Sequence, residues 1–566
     1  MSQPTRRFSF LALALLAVGG IGGAVVGGRV QANPHATEDQ LWTFGRVLSL
    51  VEDQYIGEAD SKQMVEDAIQ GLLQTLDPHS NYLPPESFSD MRDEQRGKFS
   101  GLGIQITKRG PDKPLTIIAP IDDTPAFRAG LQSGDVIAEI EGEPTLDLTV
   151  HEAVKRLKGD KGTRVKITIE RPGDSEPFEV SIERDDIPIE SIRVAHMLRD
   201  SVGFVRISNF TSTTADELDR AIARLTDEGM TRLIIDLRNN PGGLLEQAVQ
   251  VSERFVPAGE LVVFTRGRIP GANQDYRAKR GVERLSLPLI TLVNGSSASA
   301  SEIVSGAIQD HDRGLVVGET TFGKGLVQRV IPLPDGGALA VTTAKYYTPS
   351  GRLIQRDYSD FEEYYLRRDV EDDPGEPTDE SVEEPTPDST DPSESTDYDE
   401  IEDDETRIRE VFYTTLGRKV YGGGGIQPDY IVKAPSASAI LARLVRENLI
   451  FDYAVSFSNA RKELDHDFVI DDEIFDDFRS FLDTREFEFE NATLDDSREM
   501  VSLRMRAQIA RVRWDQQSES RILTEADPQI QRAFELFDEA AELAERATRP
   551  SVKPARGDLR AEVTPL

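Results

Sequence analysis

The sequence predicts a multidomain α+β protein, with an α/β layered core, a smaller β-rich domain before it and helical regions at both ends. Three observations lead to this prediction. The chain has 566 residues, several times the usual size of one domain. Between residues 201 and 432, apolar runs typical of buried strands alternate with amphipathic helices. Over residues 97–188, short β-branched runs are instead separated by Gly, Pro and Asp, so a separate domain is expected there.

Composition excludes several classes of function. The chain has no cysteine, which removes thiol nucleophiles, cysteine-ligated zinc sites and disulfides. Its formal net charge of −36 makes nucleic acid or an anionic membrane surface a poor electrostatic partner. Residues 371–405 contain 18 Asp or Glu and no Lys or Arg. We predict that this run is a solvated, disordered tether.

The first 32 residues are typical of a secretory signal. Arg6 and Arg7 precede an uncharged stretch over residues 8–28, and small residues at Val30-Gln31-Ala32 suit signal peptidase. The stretch is also long enough to span a bilayer, so cleavage and membrane anchoring both stay open. We therefore expect an exported protein, in the bacterial periplasm or on the outer face of the inner membrane.

Residues 33–96 are predicted to be helical because their apolar residues recur three and four positions apart. Asp77-Pro78 is expected to end the second helix, since proline disfavours helix at the residue before it. No acid–base constellation occurs here, so the region is interpreted as a packing or dimerising arm.

The domain predicted over residues 97–188 carries a candidate peptide-binding loop. Gly101-Leu102-Gly103-Ile104 leaves consecutive N–H groups unshielded, so that it could hold a peptide carboxylate while the following strand pairs with an extended tail. Gly-x-Gly by itself is a common pattern. One helix is predicted from Thr149 to Lys158. The predicted strands are Leu115–Ala119, Val136–Ile140, Val165–Ile169 and Phe178–Ile182.

The α/β core is predicted over residues 189–366 and 406–434, interrupted by an acidic disordered insert at 367–405 and followed by a helical extension, residues 435–566. Mainly parallel pairing is expected. The predicted strands are Val202–Ile207, Leu233–Asp236, Leu261–Phe264, Leu289–Val293 and Leu315–Val317. The predicted helices between them are Ala215–Leu225, Leu244–Phe255 and Ser299–Gln309.

Ser299 is the candidate nucleophile. A buried strand ends at a Gly/Ser turn and a helix opens at once, so Ser299 is expected at a helix start, where free N–H groups can stabilise an oxyanion. The alternative is structural, because Ser299-x-x-Glu302 is also a capping box.

The base is sought among histidines and lysines. His311 is the one histidine between residues 201 and 432, and it lies between Asp310 and Asp312 in a polar sequence. Lys324 instead stands in a Gly-rich turn between two apolar strands, where burial could hold it neutral. Gln328, four residues on, shares a face with Lys324 and could orient the amine without adding charge.

Two further patterns bear on this site. Asp236-Leu237-Arg238-Asn239-Asn240-Pro241-Gly242-Gly243 closes another buried strand, and the N–H groups of its paired glycines could complete an oxyanion hole. Gly318-x-x-x-x-Gly323-Lys324 matches most of a phosphate-binding loop. Gly325 follows where Ser or Thr would bind magnesium, so a nucleotide site is not expected.

These passages together resemble the C-terminal processing (tail-specific) proteases, a serine peptidase family with an embedded PDZ domain. The resemblance covers residues 40–433, and the motifs keep their order. About seventy residues intervene before its last motif and the helical extension is long, which departs from the simplest members. The matching motifs are Asp77-Pro78-His79-Ser80-x-Tyr82-Leu83, Gly101-Leu102-Gly103-Ile104, Pro125 to Ile137, Lys158-Gly159-x-x-Gly162-Thr163, Leu237 to Gly243, Ser297 to Glu302, Gly323-Lys324-Gly325-x-x-Gln328, Tyr346 to Arg352 and Gly425-Ile426-x-Pro428-Asp429.

The resemblance implies a crotonase/ClpP-like protease core in which Ser299 is the nucleophile, Lys324 the general base and Gln328 its orienting partner. It also implies an oxyanion hole from the N–H groups of Ala300 and of Gly242 or Gly243. Expected substrates are proteins with unstructured, apolar C-terminal tails, and no metal or other cofactor is implied. An adaptor or activator protein and a homo-oligomer stay open.

Two other functions compete with this interpretation. The first is a catalytically inactive PDZ-containing scaffold or binding protein, which the intact Ser299, Lys324 and Gln328 disfavour. The second is an esterase or amidase with His311 as base.

Overall fold

The computed structural model describes residues 34–108, 110, 113–281, 284–359, 364, 410–461 and 463–548. The predicted signal segment, the acidic insert at 367–405 and the last residues, 549–566, lie outside the described residues. The chain divides into two compact units, residues 1–76 and 77–566. Within the described ranges, no helix has the length and apolar character needed to cross a membrane.

The first unit contains helix α1 (Pro34–Gln54) and helix α2 (Ser61–Gln74). Asp60 caps α2, because its carboxylate accepts hydrogen bonds from the backbone N–H groups of Lys62 and Gln63. The predicted helical region reaches residue 96, but this unit ends at Leu76. Residues 77–96 belong to the second unit, where they form strand β1 (Asn81–Leu83) and helix α3 (Pro85–Arg96).

The small β domain follows α3. Its predicted strands and helix are confirmed within two residues at every end. Among the described residues, its sheet has the order β3-β4-β5-β7-β8, every pair antiparallel, and β2 pairs with β9 where the chain enters and leaves. Its elements are β2 (Lys98–Gly101), β3 (Ile104–Thr107), β4 (Thr116–Pro120), α4 (Pro125–Arg128), β5 (Val136–Ile140), β6 (Glu143–Pro144), α5 (Val150–Leu157), β7 (Arg164–Glu170), β8 (Phe178–Glu183) and β9 (Asp185–Pro188).

The α/β core is built on two sheets. In the part of the chain described here, the first sheet has the order β10-β11-β12-β15-β16-β21 and is parallel except at β10. The core elements are β10 (Val194–Met197), β11 (Val202–Arg206), α6 (Thr214–Asp227), β12 (Arg232–Asp236), α7 (Leu245–Glu253), β13 (Leu261–Arg266), β14 (Gln274–Arg277), β15 (Leu289–Val293), α8 (Ala300–Asp310), β16 (Leu315–Gly318), β17 (Leu326–Pro332), β18 (Ala338–Tyr347), β19 (Val411–Tyr413), β20 (Lys419–Tyr421) and β21 (Tyr430–Ile431).

The second sheet corrects one prediction. β13, expected from Leu261–Phe264 to join the parallel sheet, pairs antiparallel with β14 and β18, and β18 also pairs with β1 and β17. An apolar run shows that a strand is buried, but it does not identify the neighbouring strand. β1 therefore brings residues just after Asp77 into the same sheet as Gln328.

Helices continue from residue 439 to residue 548, as predicted. Most of them form a separate apolar cluster, but the last one packs on the core. Ile530, Ala533 and Phe537 of that helix contact the face of the parallel sheet opposite α6, α7 and α8. The predicted extension is therefore partly a layer of the core. The helices are α9 (Ala439–Arg446), α10 (Leu449–Ala460), α11 (Asp472–Thr484), α12 (Asn491–Asp496), α13 (Arg498–Arg513), α14 (Gln516–Glu525) and α15 (Pro528–Thr548).

Candidate active site

Ser299 occupies a strained turn between β15 and α8. Its backbone has φ 54° and ψ −110°, in the left-handed half of conformational space that side chains rarely adopt. Such a conformation destabilises a residue by about 1–3 kcal/mol and persists only when the surroundings enforce it. α8 starts at the next residue, so the side chain stands at the N-terminus of a buried helix.

Neighbouring hydrogen bonds enforce the turn. The Ala298 N–H and the Ser301 hydroxyl both donate to the Asn240 carbonyl, at 3.0 and 2.9 Å. The Ser297 hydroxyl donates to the Leu237 carbonyl at 2.8 Å. The turn that carries Ser299 is therefore fixed to the loop after β12, where the sequence predicts oxyanion donors.

Lys324 lies in the loop between β16 and β17, and this loop is held against the Ser299 turn. The Phe322 N–H donates to the Ser297 carbonyl at 3.0 Å. The Lys324 side chain is half-buried. Burial lowers its pKa below the usual 10.5, while the carboxylates of Glu302 and Asp77 act in the opposite direction. A lysine in this environment loses its proton more readily than one in water.

Glu302 joins the backbones of the two predicted catalytic residues. Its carboxylate is fully buried, and one oxygen accepts the Ser299 N–H at 2.7 Å and the Lys324 N–H at 2.9 Å. The other oxygen accepts the Gly323 N–H at 2.7 Å and the Thr321 hydroxyl at 2.5 Å. Burial raises the pKa of Glu302, whereas these four donors lower it. Because the loop amides bind this carboxylate, they do not form a phosphate cradle.

Tyr346, on β18, joins the same two backbones from their carbonyl side. Its hydroxyl donates to the Lys324 carbonyl at 2.6 Å and to the Ser299 carbonyl at 3.1 Å. Burial raises the pKa of Tyr346 well above 10, so the phenol keeps its proton at neutral pH. The nucleophile turn and the base loop thus share one buried acceptor and one buried donor.

Gln328 lies on β17, and its amide donates to the Thr342 hydroxyl at 3.2 Å. The Thr342 hydroxyl in turn donates to the Asp77 carboxylate at 3.1 Å. Asp77 also accepts the N–H groups of His79 and Ser80, both at 2.8 Å. The hydrogen bond found for Gln328 therefore goes to Thr342, and its predicted role toward Lys324 remains a proposal.

His79 lies beside the base. Burial, and then the Lys324 charge, lower its pKa to about 4, so the imidazole is neutral at pH 7. One ring nitrogen lies 2.8 Å from the Tyr364 hydroxyl. A neutral ring adds no positive charge near Lys324.

The two candidate oxyanion glycines are not equivalent. The Gly242 N–H donates to the Asn240 side chain at 2.9 Å, whereas the N–H groups of Gly243 and Ala300 have no partner among the described residues. Gly242 has φ 104°, and a Cβ there would lie 2.8 Å from the Ser299 Cβ. The N–H groups of Gly243 and Ala300 are therefore available as donors. Gly242 is needed because a side chain there would clash with the Ser299 turn.

The predicted peptide-binding loop leads into an open strand edge. Gly103 has φ 81°, and a Cβ there would lie 2.3 Å from Thr124, so only glycine fits. The Leu102 carbonyl accepts the Ala126 N–H at 2.9 Å, which fixes the loop. Within the described sheet, β3 begins at Ile104 and has β4 as its one neighbour, so its other edge can accept an added strand.

His311 cannot serve Ser299. It follows the last residue of α8, about 18 Å from Ser299 at the rise of an α-helix. One of its ring nitrogens lies 2.6 Å from the Leu261 carbonyl. The esterase interpretation with His311 as base is therefore wrong.

Several residues of the site were not singled out from the sequence as functional. Glu302 was considered as half of a capping box, and Asp77 as a helix terminator, while Tyr346 and Thr342 had no assigned role. The signal available in the sequence for Glu302 was its position, an acidic residue directly after the Ser299 turn. The others could not be found, because they contact segments far away in the sequence.

Four protein-family models match the chain. The model "Peptidase family S41" matches residues 201–361, and "PDZ domain" matches residues 116–171. "Activating protease CtpB N-terminal domain" matches residues 27–87, and "Probable PDZ-protease, C-terminal helical domain" matches residues 440–502.

Relatives with assigned names agree with these matches. The chain is 42% identical over 327 residues to a carboxy-terminal-processing protease of Bartonella bacilliformis, covering 57% of this chain and 74% of that protein. It is 35% identical over 380 residues to a carboxyl-terminal-processing protease of Synechocystis sp., covering 63% and 87%. With the carboxy-terminal processing protease CtpA of Bacillus subtilis, it shares 33% identity over 314 residues, covering 55% and 66%.

Proposed function

The chain belongs to the carboxy-terminal processing proteases of peptidase family S41, and we propose that it cuts peptide bonds with Ser299 as nucleophile and Lys324 as general base. The observation that carries this proposal is their shared anchoring by Glu302 and Tyr346. Burying a carboxylate and a phenol is unfavourable unless each is well bonded. Glu302 and Tyr346 each bond to both Ser299 and Lys324, which are 25 positions apart in the sequence. This arrangement is explained if Ser299 and Lys324 act together.

In this mechanism a neutral Lys324 takes the proton of the Ser299 hydroxyl while its oxygen attacks the substrate carbonyl carbon. The negative oxygen of the tetrahedral intermediate accepts hydrogen bonds from the N–H groups of Ala300 and Gly243. Collapse breaks the C–N bond, and Lys324 returns the proton to the leaving amine. Lys324 then takes a proton from water, whose oxygen attacks the Ser299 ester, and it returns that proton to the Ser299 oxygen as the acid product is released. Gln328, on the strand that follows the Lys324 loop, orients the base.

We further propose that substrates are exported proteins with unstructured, apolar C-terminal tails. The tail carboxylate is held by the loop from Gly101 to Ile104, and the tail pairs with the open edge of β3. The N-terminal segment directs the chain to the periplasm or to the outer face of the inner membrane. The competing proposal is a scaffold that binds tails without cutting them.

The test is cleavage of an unstructured protein with an apolar C-terminus by the full chain. Ser299→Ala and Lys324→Ala should each lower kcat/KM by about 10³-fold or more. His311→Ala is the matched control and should leave it unchanged. Equal activity of Lys324→Ala and the parent would contradict the dyad, and an inactive parent that still binds tails would favour the scaffold.

The same reaction has an expected pH dependence. Lys324 acts only when it is neutral, and its pKa is lowered by burial, so the rate should rise with pH through a midpoint below 10.5. A rate that falls as the pH rises toward 10.5 would contradict a lysine base.

A further inference from the structure

The C-terminal helical domain reaches the small β domain beside its open edge. Arg511, near the end of α13, donates to the Gln105 side chain on β3 at 2.8 Å. A second contact lies at Gly134, where a Cβ would meet the Val455 side chain of α10 at 2.6 Å. The two domains are therefore held together at two positions, one of them on the edge strand.

The side-chain pattern of β3 shows which face Arg511 occupies. Ile104 and Ile106 pack against the core of the small β domain. Because side chains alternate along a strand, Gln105 points to the opposite, outward face. A peptide that adds to this edge alternates in the same way, so every second side chain of the peptide lies on the outward face.

This rests on the proposed function, in which the last, apolar residue of a tail points inward. The penultimate residue of the tail then points outward, to the side on which Arg511 stands. The Arg511 side chain is 22% exposed, and the guanidinium also contacts Glu519 at 3.0 Å. These two contacts hold the guanidinium beside β3, and the side chain is not fully covered.

The charge of α13 adds a second argument. The helix contains five arginines and one glutamate, although the whole chain has a net charge of −36. A basic helix packed beside the edge strand of a strongly acidic protein would attract negative charge to that edge.

We propose that α13 forms the outer wall of the tail-binding groove and that Arg511 selects substrate tails with an acidic penultimate residue. Arg511 is then a specificity-determining residue contributed by a different domain. The carboxylate of the tail side chain would accept a hydrogen bond from the guanidinium beside Gln105.

The test measures fluorescence anisotropy of labelled peptides with the full chain carrying Ser299→Ala, so that peptides stay intact. The peptides have eight residues and one apolar last residue, and they differ in the penultimate residue alone, which is Glu, Gln or Lys. The Glu peptide should bind about fivefold more tightly than the Gln peptide, and the Lys peptide should bind least.

Variants of the helix locate the source of that preference. Arg511→Gln should remove it, and Arg511→Lys, which keeps the charge, should keep most of it. Arg504→Gln is the control, because Arg504 is exposed and lies about 10 Å away along the same helix. Circular dichroism of each variant checks that the helices are retained.

The outcomes separate this inference from the proposed function. If the three peptides bind equally, or if Arg511→Gln keeps the preference, the inference is wrong while tail capture stands. If no peptide binds although the active chain cleaves the protein substrate, tail capture and the inference both fail, and the Ser299–Lys324 mechanism survives.

Discussion

The two sheets of the core contribute differently to the active site. The parallel sheet delivers Ser299 at the end of β15, from a region whose strands and helix are almost entirely buried. In the antiparallel sheet, β17 begins just after Lys324 and is partly exposed along its length. This sheet also supplies Tyr346 and Gln328. A tightly packed sheet thus enforces the strained turn of the proposed nucleophile, while a more open sheet follows the loop of the proposed base. In the proposed mechanism, catalysis depends on Glu302 and Tyr346, whose hydrogen bonds join the Ser299 turn to the Lys324 loop.

The largest effect is expected on the nucleophile side, from Gly242→Ala. The added Cβ would lie 2.8 Å from both the Ser299 Cβ and the Ala298 carbonyl, so the turn must move. We expect kcat to fall by about 10²-fold or more, because small misplacements of reacting groups have effects of this size. Gly229→Ala is the control: its φ is 94°, but nothing lies within 4 Å of the new Cβ. Equal loss in both variants would mean that backbone strain alone is responsible.

An intermediate effect is expected at the junction, from Tyr346→Phe. The change removes hydrogen bonds to the Ser299 and Lys324 carbonyls while keeping the ring. We expect kcat to fall about tenfold with KM nearly unchanged, since positioning rather than binding is lost. Tyr276→Phe is the control, because that hydroxyl bonds Gln274 in the same sheet, away from the dyad. A change in KM alone would assign Tyr346 to substrate binding.

The smallest effect is expected within the antiparallel sheet, from Thr342→Val. The variant removes the hydroxyl between Gln328 and Asp77 and keeps the shape. We expect kcat to fall about threefold to fivefold, the effect of one ordinary hydrogen bond. Thr343→Val, one residue along the same strand and on its other face, should have no effect. Equal kcat for Thr342→Val and the parent would show that the Gln328 contact is not needed.

Local patterns explain what was predictable. Val136–Ile140 and Leu289–Val293 were predicted with the bounds that the structure has, because apolar runs between turn residues mark buried strands. The alternation of strands and helices also predicted the mainly parallel pairing of the first sheet. Ser299 and Lys324 stood out because each occupies a turn next to a buried strand.

Long-range contacts explain what was missed. The sequence did not show which sheet β13 joins. Besides the nearby β14, β13 pairs with β18, residues 338–347, which lie far away in the sequence. For the same reason the sequence did not show that Glu302 and Tyr346 each bind two segments at once. A local sequence pattern describes one segment of the chain, whereas the roles of Glu302 and Tyr346 depend on contacts between two segments.

The position of α15 has a consequence for synthesis. Its apolar side chains cover one face of the parallel sheet, and it ends at residue 548. Until α15 has been synthesised and has docked, the parallel sheet that leads to Ser299 has one apolar face exposed to solvent. The parallel sheet is therefore covered on both faces only after residues 528–548 have been synthesised and have docked.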